Sequence, residues 1–259
     1  MTNQDKSTDV LLTYDGPIAQ ISFNRPARRN ALSPDLLVSF RDYLADVAAS
    51  DARVLILRGE GQDFCVGADM YDGAEVENPF GYDELMSFYQ TGTVLHELPA
   101  VTIAAIDGGC AGPGMAWAAA CDFRFATQRA VFNTAFLTVG VAGEMGLAWS
   151  LSRVLGSGRA REMLFFPEKM SAAKAEQIGF LTRIFDDGDS LYAGAMEAAR
   201  QLTARDPASL KIAKANILDA ENLSLRDFIA VESGRHMLLA SRDVRTQAFR
   251  DYAAKHKVK

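Results

Sequence analysis

Apolar and polar positions alternate between residues 9 and 23 and end in Ile18-Ala19-Gln20-Ile21-Ser22-Phe23. A period of two predicts a hairpin of strands. Asn24-Arg25-Pro26 interrupts the pattern. Ser33-Pro34-Asp35 then reads as an N-cap followed by proline at the first helical position, so a helix should run to about Ala49. Residues 54–59 and 101–106 are continuous apolar runs of strand length, as strands buried on both faces require. Residues 115–120 predict a short helix of small residues, and Phe123-Arg124-Phe125-Ala126 a further strand. Strands alternating with helices predict an α/β fold with largely parallel pairing. From about Ser190 onward the pattern is helical, with a soft boundary near residue 200. That predicts a core over residues 1–200 and a helical part over 201–259. Residues 72–84 carry Gly, Pro and acidic residues and predict a mobile loop, a pocket wall or lid.

Composition narrows the class. The chain has 259 residues, 49% of them hydrophobic, enough for one large domain or one with a small appendage. The net charge of −6 comes without a basic stripe, so no nucleic-acid partner is expected. No apolar run is long enough to predict a membrane span. Residues 1–9 are polar and lack a signal-peptide core, and a cytoplasmic location is expected. Cys65, Cys110 and Cys121 form no ligand-spaced pair, and three histidines add little, so no metal is expected.

The chemistry concentrates in two short stretches. Phe64-Cys65-Val66-Gly67-Ala68-Asp69-Met70 and Ile106-Asp107-Gly108-Gly109-Cys110-Ala111-Gly112-Pro113-Gly114 each place small residues just after an apolar strand. Backbone there can approach a ligand closely and aim N–H groups at one atom, so two such turns could cradle a developing oxyanion. Tight strand–helix packing is the simpler use of the same glycines.

Taken with Asn24-Arg25-Pro26, Arg29-Asn30-Ala31-Leu32, Cys121-Asp122, Arg153-Val154-Leu155-Gly156 and Ser171-Ala172-Ala173-Lys174-Ala175, these stretches resemble the crotonase (enoyl-CoA hydratase/isomerase) superfamily. The resemblance implies a ββα spiral core and a helical C-terminal trimerisation region, in a homotrimer or a dimer of trimers. It also implies acyl-CoA thioester substrates, with coenzyme A part of the substrate and no separate cofactor. By the same resemblance Ala68 supplies one oxyanion N–H. The second donor of the family falls on Pro113, which has no N–H. Gly114, Gly112 or the positive end of the following helix remain as substitutes, with Gly114 favoured. Arg25, Arg28 and Arg29 are the nearest cations for the nucleotide, beside Asp69 and Met70. Tyr252 and Lys255 occupy the places of a terminal aromatic and lysine that reach the CoA.

The two glutamates that hold water in hydratases of the family fall on Ala116 and Phe136. A carboxylate stands instead at Glu144, where several enoyl-CoA isomerases carry an acid. Phe136, Met145, Leu147 and Trp149 are its expected apolar neighbours, and such a setting raises a carboxyl pKa toward that of a general base. Moving a double bond from the 3- to the 2-position needs one proton shuttle, whereas hydration needs two groups on water. The expected activity is therefore 3-enoyl to 2-enoyl-CoA isomerisation with Glu144 as shuttle. A hydratase, a thioester or C–C hydrolase and a silent acyl-CoA-binding paralogue are the alternatives. Glu144 also suits the first turn of a helix for purely structural reasons.

Overall fold

The computed structural model describes residues 8–69, 79–242 and 250. The chain divides into two compact units, Met1–Arg200 and Gln201–Lys259. In chain order the first unit runs β1 (Val10–Asp15), β2 (Ile18–Phe23), α1 (Pro34–Ala49), β3 (Val54–Gly59), α2 (Tyr82–Tyr89), α3 (Thr91–Glu97), β4 (Val101–Ile106), β5 (Gly109–Ala111) and α4 (Pro113–Ala120). It continues with β6 (Phe123–Thr127), β7 (Val131–Asn133), α5 (Leu147–Phe165), β8 (Met170–Ser171), α6 (Ala172–Gln177), β9 (Arg183–Phe185) and α7 (Gly188–Thr203), inside which the division falls. The second unit is helical, with α8 (Pro207–Ala220) and α9 (Leu225–Ala240) packed on each other. No helix among the described residues is long and apolar enough to cross a membrane.

The hairpin forms as the alternation predicts, with Val10 opposite Phe23 and Asp15 opposite Ile18. It edges a sheet ordered β1-β2-β3-β4-β6-β9, parallel from β2 onward. A smaller sheet ordered β5-β7-β8, with strands of two or three residues, stands beside it and was not legible in the pattern. Helix α1 starts where its cap predicts: Ser33 Oγ accepts the Leu36 N–H at 3.1 Å and Pro34 takes the first helical position. Its buried face is Leu36, Phe40, Leu44 and Val47, spaced as one helical stripe.

Two expectations are corrected. The small-residue helix begins at Pro113 rather than Met115, because a missing N–H costs nothing in a first turn. Within 72–84, residues 82–84 open α2, where Asp83 and Glu84 face the positive helix end; residues 72–78 lie outside the described residues.

Helix α4 is buried on every side, and its alanines let α3 and α5 approach. Its one large side chain, Trp117, stacks on Phe23 at 5.2 Å, touches Phe40 at 4.6 Å and donates its indole N–H to Thr91 Oγ1 at 2.9 Å. Trp117→Ala should lower stability by about 3–5 kcal/mol, read as a shift of the urea midpoint; a midpoint equal to wild type would show that this cluster does not anchor the core.

Candidate active site

The two glycine turns run side by side. The Phe64 and Cys65 N–H groups both donate to Gly109 O at 3.1 Å, and the Ala111 N–H donates to Cys65 O at 3.0 Å. Gly67 has φ +88°, and a Cβ there would sit 3.0 Å from Ala111 O and 3.2 Å from Pro113 Cδ. The first turn therefore crosses directly over the start of α4, as a shared ligand site requires. Ala68 lies at the exposed crest of this turn. The Leu32 N–H donates to Gly67 O at 2.8 Å, pairing Leu32 with Ala68 as a parallel bridge. In that geometry the Ala68 N–H points away from the bridge, and no hydrogen bond from it is formed among the described residues.

The donors on the α4 side are disposed differently from the expectation. The Gly112 N–H donates to Asn133 O at 3.0 Å. Gly112 has φ +52° and ψ −122°, a conformation that glycine alone adopts readily. Gly114 is buried tightly against Cys65: a Cβ there would sit 2.3 Å from Cys65 O and 2.8 Å from Cys65 Cβ. Burial pushes the Cys65 thiol up to about 12, so it stays neutral. Gly112 is thus corrected as a substitute oxyanion donor, because its N–H is already engaged. Pro113, buried at the first helical position, supplies none. What α4 offers the site is its positive end.

Glu144 lies on the loop that leads into α5. The Phe136 ring lies between two glycines. Its Cζ is 4.0 Å from where a Cβ would stand at Gly112, and its Cδ2 is 3.7 Å from the equivalent point at Gly143. This one ring thus links the oxyanion turns to the residue before Glu144. Ala116 is fully buried. The Glu144 side chain is half-buried and takes no hydrogen bond or ion pair among the described residues. Desolvation raises its pKa above the usual glutamate range. Of the expected neighbours, Met145 and Leu147 are buried beside it in sequence. Trp149 instead lies under the Arg153 guanidinium, 3.5 Å from its ring centroid, and meets the His96 ring at 4.8 Å. These contacts hold the ring against His96 of α3 while it stays partly exposed.

The arginines of the first loop are paired with carboxylates. Arg28 makes two bonds to Asp69, at 3.0 and 2.6 Å. Arg25 bridges Asp9 at 3.2 Å and Asp69 at 3.4 Å. Arg29 makes two bonds of 2.9 Å to Asp63, which also accepts the Gly109 N–H at 2.7 Å. These pairs tie the loop to the two turns, and the Arg29 side chain stays 54% exposed. Met70, Tyr252 and Lys255 lie outside the described residues.

Two participants escaped the sequence. One is Cys65, which packs against Gly114 and bridges to Cys110 in parallel. The other is Tyr89 at the end of α2, near enough that the Glu144 charge raises its phenol pKa, after the larger effect of burial. Neither carries a pattern signal, because each matters through a partner distant in the chain. No cluster of ligating side chains fit for a metal occurs among the described residues.

The family model of enoyl-CoA hydratase/isomerase matches residues 13–259. The chain belongs to that family. Among family members, the mitochondrial Delta(3,5)-Delta(2,4)-dienoyl-CoA isomerase of Mus musculus is 32% identical over 224 residues, 80% of this chain and 68% of its own. An enoyl-CoA hydratase of Bacillus anthracis superposes with a TM-score of 0.86 at 25% identity, covering 97% of this chain and 98% of its own. A Thermobifida fusca YX protein crystallised with acetoacetyl-CoA superposes at 0.81 with 25% identity, over 90% and 95%. The crotonase fold and the enzyme class of the family are therefore those of this chain.

Proposed function

We propose that this family member takes acyl-CoA thioesters and shifts a 3-enoyl double bond to the 2-position, with Glu144 as the proton shuttle. The observation that carries the reading is a half-buried carboxylate with a raised pKa and no partner among the described residues, beside a phenylalanine where a hydratase carboxylate would stand. The Glu144 carboxylate removes a C2 proton. The C–H electrons pass to a dienolate that places charge on the thioester oxygen, at C2 and at C4. The same carboxyl then returns the proton at C4, leaving the double bond between C2 and C3.

The altered oxyanion hole supports this choice over hydration. With a proline at the family's second donor position and the end of α4 as a dipole, the site favours a carbanion that spreads its own charge. A dienolate does so by sharing the charge between the oxygen, C2 and C4. The enolate formed by adding water to a 2-enoyl thioester has no such extension. The dienoyl-CoA isomerase named among the relatives and the acetoacetyl-CoA complex agree with this substrate chemistry. Coenzyme A enters as part of the substrate, and no further cofactor is needed for the proton transfer.

The deciding experiment supplies 2,2-dideuterio-3-hexenoyl-CoA and follows the product by mass and NMR. Retention of deuterium at C4 at early times is expected of a single shielded carboxyl. Release of free thiol, or hydration of crotonyl-CoA at a comparable rate, would replace the isomerase reading with a hydrolase or a hydratase.

A further inference from the structure

The crest of the oxyanion turn is held far more firmly than an exposed loop needs. On one side, the Leu32 N–H holds Gly67 O. On the other, the Asp69 carboxylate is only 13% exposed and takes a two-point bond from Arg28, at 3.0 and 2.6 Å, with the Arg25 guanidinium at 3.4 Å. Arg25 is itself fixed by Asp9 at 3.2 Å and by Ala31 O, and its N–H donates to the Asn30 side chain at 2.8 Å. Asn30 in turn donates to Glu60 O at 3.0 Å and Asp63 O at 2.6 Å. The peptide between these two anchors carries the Ala68 N–H. Paired two-point ion bonds fix orientation as well as distance, which a single hydrogen bond does not. A donor in an oxyanion hole acts only when held within a fraction of an ångström of its working position. With Pro113 silent and the Gly112 N–H given to Asn133 O, the site leans on the aim of Ala68.

We infer that Asp69 is a positioning residue: through Arg28 and Arg25 it aims the Ala68 N–H at the thioester oxygen. The inference rests on the acyl-CoA part of the proposed function but not on the reaction assigned there. Asp69→Asn keeps the size of the side chain and removes the charge that holds both guanidiniums.

The test uses full-length wild type, Asp69→Asn and Arg28→Gln, with 2-hexenoyl-CoA carrying carbon-13 at its carbonyl. Infrared difference spectra read the C=O stretch of the bound thioester, calorimetry reads its affinity, and turnover of 3-hexenoyl-CoA reads kcat. In wild type the stretch should move to lower frequency on binding. In Asp69→Asn it should return toward the free-ligand value, with kcat down at least tenfold and affinity within threefold of wild type. Arg28→Gln, which leaves Asp69 to Arg25, should shift the stretch the same way by less, and it serves as the test should Asp69→Asn fail to fold. A wild-type stretch and kcat in Asp69→Asn would overturn the inference. So would affinity and kcat falling in parallel, which marks a general structural role, or an unshifted stretch in wild type. A shifted stretch in wild type with no isomerisation would instead sink the proposed reaction and leave the role of Asp69 standing.

Discussion

Glu144→Gln should lower kcat for 3-hexenoyl-CoA isomerisation by about 10²–10⁴-fold while leaving thioester affinity nearly unchanged. Those are the losses expected when a positioned acid–base group is removed from a proton transfer. The neutral amide keeps the shape and cannot accept the C2 proton. Because no other carboxylate occupies a hydratase position, no neighbour is placed to take over. The pH profile should follow the same group. Burial favours the neutral acid, so the working carboxylate forms only above the usual glutamate range, and kcat should rise with pH through that raised value. Stability should run the other way. A carboxyl that holds its proton more tightly when folded contributes stability at low pH and loses it as pH rises through the folded value. Glu144→Gln should therefore raise the thermal midpoint near neutrality. A mutant that isomerises at the wild-type rate would remove Glu144 from the reaction. A midpoint that falls would show that its carboxylate is held by a favourable partner.

Pro113→Gly should accelerate the enzyme. Losing one oxyanion donor typically costs about 10²–10³ in kcat, so restoring an N–H at the crossing of the two turns should return part of that, about 10–10²-fold. The position suits the change: residue 113 is the first residue of α4, where an N–H has no intrahelical partner, and Gly67 leaves it room. The added flexibility of glycine should lower stability somewhat. The gain should be larger for crotonyl-CoA hydration, if any is detectable, than for isomerisation, since the localised enolate leans harder on the hole. No change in either rate would mean that residue 113 does not face the thioester oxygen, and that the proline is there only to start the helix.

Much of this was legible along the chain. The hairpin, α1 and the buried strands announce themselves because their signals are local: alternation, a cap with proline, an unbroken apolar run. Glu144 stood out because proton-transfer chemistry needs a carboxylate and the two usual positions had lost theirs. The small sheet did not, since strands of two or three residues have no period to read. The pairing of the arginines was hidden for a related reason. A cluster of positive charge is visible in sequence, but its neutralisation by Asp9, Asp63 and Asp69 depends on residues up to 44 positions away.

The sequence by itself determined the residue types: a backbone turn ending in Ala68, a proline where a donor is expected, and one unabsorbed carboxylate. Only the tertiary structure decided which N–H groups were free. Hydrogen-bond donors on neighbouring residues point in different directions, and each is claimed by whatever acceptor the packing brings near. Asn133 O took the Gly112 N–H, while the Ala68 N–H meets no acceptor among the described residues. Packing likewise set the Phe136 ring between Gly112 and Gly143 and left the Glu144 carboxyl half-buried without a partner among the described residues. Desolvation is a property of surroundings, and a sequence lists the groups without saying what will surround them.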